Sequence, residues 1–142
     1  MSIFISHSPE ETEAFAEQLA ARLRPGDMLA LFGGLGMGKT AFVRGLARGL
    51  SAADEVSSPT FALVHEYEAK YPIFHFDMYR IRNLDDLYST GFFDYLESGG
   101  IVVTEWSENI EAYLPQKRID IRIERGADEQ ERRLTIHENT GA

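Results

Sequence analysis

Gly33-Gly34-Leu35-Gly36-Met37-Gly38-Lys39-Thr40 constrains this chain more than any other segment, because it fits the pattern G-x-x-x-x-G-K-[ST]. Immediately before it, Met28-Leu29-Ala30-Leu31-Phe32 is a continuous apolar run too short for a typical helix. Such a run predicts a strand buried on both faces of a parallel sheet, ended by Gly33. After it, from Thr40 to Leu50, Phe42, Val43, Leu46, Ala47 and Leu50 recur at helical spacing. Strand, glycine-rich turn and helix together form a cradle for an anion. Glycines let backbone N–H groups point inward, and the helix presents its positive end to the same group. In that geometry Lys39 reaches the β- and γ-phosphates of a nucleotide, and the Thr40 hydroxyl ligates Mg²⁺.

The rest of the chain fits the same architecture. Ile3 and Ile5 alternate with polar neighbours over Ser2 to Ser6, as in a short half-buried strand, with Phe4 on its other side. Ser8, Pro9 and Glu11 read as an N-cap, a first-turn proline and a capping box. The helix they open carries Thr12, Phe15, Ala16, Leu19, Ala20 and Leu23 on one face through Arg24, and Pro25-Gly26 stops it. Phe61 to Tyr67, Ile73 to Phe76 and Ile101 to Val103 predict further strands. Asn83 is placed to cap a helix starting at Leu84, and Ser107 one ending near Leu114-Pro115. Ile119, Ile121 and Ile123, then Leu134 and Ile136 beyond the turn near Gly126, alternate with polar and charged residues as in a hairpin. The expected fold is α/β: a single P-loop NTPase domain over residues 1–142, with a mostly parallel central sheet and an antiparallel C-terminal hairpin.

Charge and cysteine content narrow the partners. The net charge of −9 repels phosphate backbones and anionic membranes, so nucleic-acid binding by the chain alone is not expected, and partner-assisted RNA contact stays open. With no cysteine, a disulfide framework and a thiolate zinc site are excluded. The N-terminus lacks a basic segment followed by an apolar one, and no apolar run reaches the roughly 18 residues of a membrane span. The expected location is cytoplasmic.

A magnesium ion needs carboxylate support, direct or through water, and two acids stand out. Asp77 follows Ile73-Phe74-His75-Phe76, and Glu105 follows Ile101-Val102-Val103-Thr104. Each sits at the C-terminal end of an expected buried strand, where open α/β sheets bind ligands. The plainer role for either is to cap a helix or pair with Arg80 or Arg82. His65 and His75 lack metal-ligand spacing and read as structural. The aromatic residues from Tyr67 to Tyr95 are interleaved with acids as much as bases and read as packing.

Taken with Arg44-Gly45, the strings Ser58-Pro59-Thr60-Phe61, His75-Phe76-Asp77-Met78-Tyr79-Arg80 and Glu105-Trp106 follow the glycine motif in order. The set strongly resembles the TsaE (YjeE) family of small bacterial ATPases, over nearly the whole chain from Ser8 to at least Trp106. The resemblance implies an ATP- and Mg²⁺-dependent accessory factor for making threonylcarbamoyladenosine in tRNA. It would act with TsaD, the transferase subunit, and TsaB, regulating or resetting their complex, with hydrolysis slow in isolation. It also implies that Lys39, Asp77 and Glu105 carry the chemistry and that Thr40 and Glu105 hold the metal. Nucleotide would contact Ser8, Gly33, Gly34, Leu35, Gly36, Met37, Gly38, Lys39, Thr40, Ala41, Ser58 and Thr60. In this reading the segment around Ser8 approaches the adenine, and Ser58 and Thr60 lie in a loop that senses nucleotide state. The chain departs from the family at Gly34, usually Asp, and at Ala41, usually a second Thr. Those departures bear on the hydrolysis rate rather than on binding.

Two other functions use the same motif. A small-molecule kinase moves the γ-phosphoryl to an acceptor, and usually needs a basic lid that is hard to build from Arg80 and Arg82 alone. A nucleotide-gated binding module orders a partner surface with little turnover.

Overall fold

The structure is a computed structural model that describes residues 1–33, 38–52 and 64–140. Gly34 to Met37, Ser58, Thr60 and the Phe61 to Leu63 part of one expected strand lie outside the described residues.

Among the described residues seven strands form one sheet. In chain order they are β1 (Ser2–Ser6), β2 (Met28–Phe32), β3 (Val64–Tyr67), β4 (Ile73–Asp77), β5 (Ile101–Glu105), β6 (Lys117–Arg125) and β7 (Arg132–Thr140). Across the sheet the order is β1-β7-β6-β2-β5-β4-β3. Strands β6, β2, β5 and β4 are mutually parallel and form the centre. The expected C-terminal hairpin, β6 with β7, is antiparallel, and β1 and β3 add antiparallel strands at the two edges. All five residues of β2 are buried, as its unbroken apolar run requires of a central strand.

The two faces of the sheet carry different cores. On one lie α1 (Pro9–Ala20) and α2 (Lys39–Gly49), packed over Leu29, Leu31, Ile73, Ile101, Val103, Ile121 and Ile123. On the other, α3 (Leu84–Ser89), α4 (Phe92–Leu96) and a 3-10 helix (Ser107–Tyr113) cover Met28, Ala30, Phe32, Phe74, Phe76 and Val102. The α1–α2 pair is drawn close by glycine. A Cβ on Gly45 would lie 2.1 Å from the Glu13 carbonyl oxygen, and one on Gly49 2.6 Å from Ala20 Cβ. Above that contact the nearly buried Glu13 carboxylate accepts from Arg48 at 2.6 Å and faces Arg44 at 3.7 Å. The second face is aromatic: Phe76 meets Phe92 edge-on at 5.7 Å and Tyr95 at 5.4 Å.

Local signals hold with instructive exceptions. Ser8 caps α1, its hydroxyl accepting the Glu11 N–H at 3.1 Å, and Asn83 caps α3 by accepting the Asp86 N–H at 2.8 Å. The Glu11 carboxylate reaches the His7 N–H rather than that of Ser8, one residue further out than a capping box. Helix α1 ends at Ala20, not Arg24. Its last residues tighten into three-residue turns, Arg22 N–H to Leu19 and Leu23 N–H to Ala20, before Gly26 at φ +92°. Along β1 the inward side chain is Phe4, whose ring stacks on Phe15 at 4.5 Å, whereas Ile3 and Ile5 are 49% and 41% exposed. Pairing with β7 decides this, since Phe4 lies opposite buried Leu134, and Ile5 opposite exposed Arg133. Ser107 does not cap its helix. Its buried hydroxyl bonds back to Thr104, 2.7 Å from Oγ1 and 3.1 Å from the carbonyl, while Trp106 turns the chain at φ +57°.

Candidate functional site

The parallel strands end together beside the start of α2. Phe32 closes β2, and Gly33 follows at φ +141°, outside the range where other residues rest easily. Asp77 and Glu105 face each other as the last register pair of β4 and β5. Strand β2 lies between β5 and β6, while the chain that leaves it through α2 returns on the far side of β5. Such a reversal opens a crevice at the carboxyl ends of the strands.

Helix α2 starts at Gly38, whose φ of +94° is a left-handed conformation, with no side-chain cap and no acid in its first turn. Its leading N–H groups therefore have no capping side chain, and the positive end of the helix is left uncompensated. Lys39, the first helical residue, is 5% exposed. Its Nζ donates to the Gly33 carbonyl at 2.8 Å and lies 4.4 Å from the centre of the Trp106 ring. Burial pushes the Lys39 ammonium below its ordinary value, and the nearby carboxylates of Glu105, Glu108 and Asp77 hold it partway up. A desolvated cation among acids, beside a helix N-terminus with no side-chain cap, makes a strong local field.

Glu105 is buried and makes one charge-assisted contact, 2.5 Å from His75 Nε2 to its Oε2. Asp77 is half-buried, and its Oδ1 accepts the Tyr79 N–H at 3.0 Å. Among the described residues neither acid pairs with Arg80 or Arg82, and neither caps a helix. Glu108 accepts the Gly33 N–H at 3.0 Å, tying the 3-10 helix to the end of β2. Thr40 is half-buried next to Lys39. Among the described residues no three His, Asp or Glu groups cluster as a self-sufficient metal site. A cation held here would need hydroxyl, water or ligand oxygens beside Glu105 and Asp77.

The structure brings Lys39, Asp77, Glu105, Gly33, Gly38 and Thr40 together, and places Ser8 and Ala41 on an adjoining cavity. That cavity, about 170 Å³, is lined by Ser8, Pro9, Thr12, Gly38, Ala41 and the turn residues Glu129, Gln130 and Arg132. It is smaller than the roughly 300 Å³ and upward of whole-ligand pockets, so it suits part of a ligand anchored elsewhere. A second cavity beside Trp106 and Tyr79 is lined by Arg80, Arg82, Asn83, Asp86 and Asn109. Nothing in the sequence points to Glu108, and His75 reads there as structural. Neither has a local signal, because each acts across the sheet.

The chain matches a family model described as "Threonylcarbamoyl adenosine biosynthesis protein TsaE" over residues 6–134. A "tRNA threonylcarbamoyladenosine biosynthesis protein TsaE" of Bacillus subtilis is 43% identical over 130 residues, covering 91% of this chain and 80% of that one. A protein of the same description from Treponema pallidum is 34% identical, covering 87% and 92%. The solved structure titled "Crystal structure of Bacillus subtilus YdiB" superposes with a TM-score of 0.79 at 37% identity, over 97% of this chain and 85% of that chain. With the family model spanning both strand-end acids and the uncapped helix, the chain belongs to the TsaE family.

Proposed function

We propose that this protein binds Mg-ATP at the start of α2, hydrolyses it, and so supports formation of threonylcarbamoyladenosine in tRNA together with TsaD and TsaB. The biosynthesis is in the printed names of its relatives. One observation carries the nucleotide reading: buried Lys39 sits among three carboxylates at a helix N-terminus that no side chain caps.

The residues fit the two groups this function needs. Hard oxygen donors, the Thr40 hydroxyl and the Glu105 carboxylate with Asp77 beside it, suit Mg²⁺, and the open amides of α2 suit phosphate. Bound Mg²⁺ would neutralise charge that develops on the phosphate oxygens. To reach those oxygens, Lys39 exchanges the Gly33 carbonyl for a charged acceptor, a stronger hydrogen bond that offsets its burial. Ser8 and Ala41 border the cavity that would take the nucleoside end. The net charge of −9 keeps tRNA at a distance except through the partners, and a cytoplasmic location follows from that role. No helix among the described residues is long and apolar enough to cross a membrane. ATP hydrolysis resets the partner complex, while the transfer itself is left to TsaD.

Reconstitution with purified TsaD, TsaB and tRNA tests the reading. Multiple rounds of modification that require both this chain and ATP are expected, with partner association stronger in ATP than in ADP. Equal modification without the chain would overturn it. A second reading, a small-molecule kinase, draws on the cavity where Arg80 and Arg82 meet Trp106. ATP turnover that needs a metabolite acceptor rather than TsaD and TsaB would favour it.

A further inference from the structure

Across β3, β4 and β5 a row of polar side chains runs through the aliphatic face of the sheet. His65 and His75 are register partners on β3 and β4. The Tyr67 hydroxyl lies 3.3 Å from His65 Nδ1 and 3.4 Å from His75 Nδ1, and His75 Nε2 lies 2.5 Å from Glu105 Oε2. His75 sits opposite Val103 in the β4–β5 pair, so Glu105, two residues beyond Val103, projects from the same face. His75 is completely buried, and Tyr67 nearly so. A histidine inside a core needs a reason, and here it spends one nitrogen on a carboxylate at the strand ends.

We infer that His75 is a positioning residue for Glu105, and that Tyr67 backs its ring from behind. The inference rests on the reading of Glu105 as the magnesium carboxylate. A glutamate reaches its carboxylate through three rotatable bonds, so an unheld Glu105 would sample several positions. With a carboxylate on Nε2, that nitrogen carries the hydrogen, a tautomer inferred from the partners. The bond occupies Oε2 and fixes the carboxyl plane, leaving Oε1 for a cation or its water. Outer partners of this kind hold metal ligands in the productive orientation. Because His75 and Asp77 are two residues apart on β4, one strand supplies both the neighbouring acid and the group that aims Glu105. A merely structural His75 would satisfy a buried carboxylate without caring which oxygen it takes.

ADP titrations at a series of MgCl₂ concentrations separate the two, read by fluorescence of Trp106, the only tryptophan of the chain. His75→Phe is expected to raise the Mg²⁺ concentration needed for tight ADP binding by about 10-fold or more. It should leave metal-free ADP affinity within about two-fold, since Lys39 and the α2 amides are untouched. His75→Gln keeps an N–H donor at similar reach and recovers most of the loss. Tyr67→Phe, which removes only the hydroxyl, shifts the Mg²⁺ dependence by a few-fold while folding as the parent does. An unchanged Mg²⁺ dependence in folded His75→Phe, or in Tyr67→Phe if His75→Phe does not fold, overturns the inference. Glu105→Ala is the separate control. If it too leaves the Mg²⁺ dependence unchanged, the magnesium reading of Glu105 falls, and with it this role for His75.

Discussion

Helices α1 and α2 lie against each other on one face of the sheet and begin in opposite ways. Helix α1 is finished by its own sequence: Ser8 accepts the Glu11 N–H, Pro9 takes the first position, and Glu10 and Glu11 meet the helix dipole. Helix α2 starts on a left-handed glycine with a lysine, no cap and no acid. The two starts border the same small cavity, Ser8 and Pro9 from one side, Gly38 and Ala41 from the other. A chain able to close one helix so completely has left its neighbour open, at the point where strand-end carboxylates gather. The capped start serves stability, and under the proposed function the uncapped one serves binding.

The largest effect expected from that contrast falls on Lys39. Lys39→Ala removes the cation from the open start and lowers ATP turnover by about 100- to 1000-fold, measured as phosphate release with TsaD and TsaB present. Its stability should move the other way. An ammonium harder to hold in the folded chain than in the unfolded one lowers stability wherever it is charged in both states, below its folded pKa. That loss disappears as pH rises from the folded value towards the ordinary 10.5. Nucleotide-free Lys39→Met should therefore melt no lower than the parent at pH 7. The difference closes as pH approaches 10.5.

Next comes the contact that holds the two helices together. Gly45→Ala forces a Cβ against the Glu13 backbone and should destabilise the fold by about 2–3 kcal/mol in urea unfolding. Nucleotide affinity then falls only as far as the folded fraction does. A smaller effect tests the open start directly. Ala41→Asp gives α2 the first-turn acid that α1 already has, and should weaken ATP binding to the folded protein about tenfold by calorimetry, while the burial of this position lowers the melting temperature as well. Unweakened binding would show that the α2 terminus does not meet the phosphates. Smallest is Ser8→Ala, which uncaps α1 at a cost of about 1 kcal/mol, read as the shift in the urea midpoint.

What could be read from the chain follows the range of each interaction. The start of α2, its strand and the α1 cap were legible because each depends on neighbours within a few residues. So were Asp77 and Glu105 as strand-end acids. The inward face of β1 was not, because Phe4 against Ile3 and Ile5 is decided by Leu134 and Arg133 on β7. Ser107 reads as a cap, yet its hydroxyl found Thr104 first. Helix α4 is too short to show a period, and its aromatic residues make sense only against Phe76. His75 reads as an ordinary core histidine, since the carboxylate that gives it a task lies on another strand.

The pairing of β1 with β7 has a consequence for how the molecule is made. Its register joins Ser2 to Ile136 and Ser6 to Arg132, so β1 waits for a strand made long after it. During translation β1 has no partner, because β7 is still unmade when the rest of the sheet has emerged. Contacts between such distant segments form slowly, and an unpaired strand bearing Ile3 and Ile5 invites foreign edges while it waits. Newly made chains should thus keep β1 open to proteolysis until β7 has been made and has paired with it.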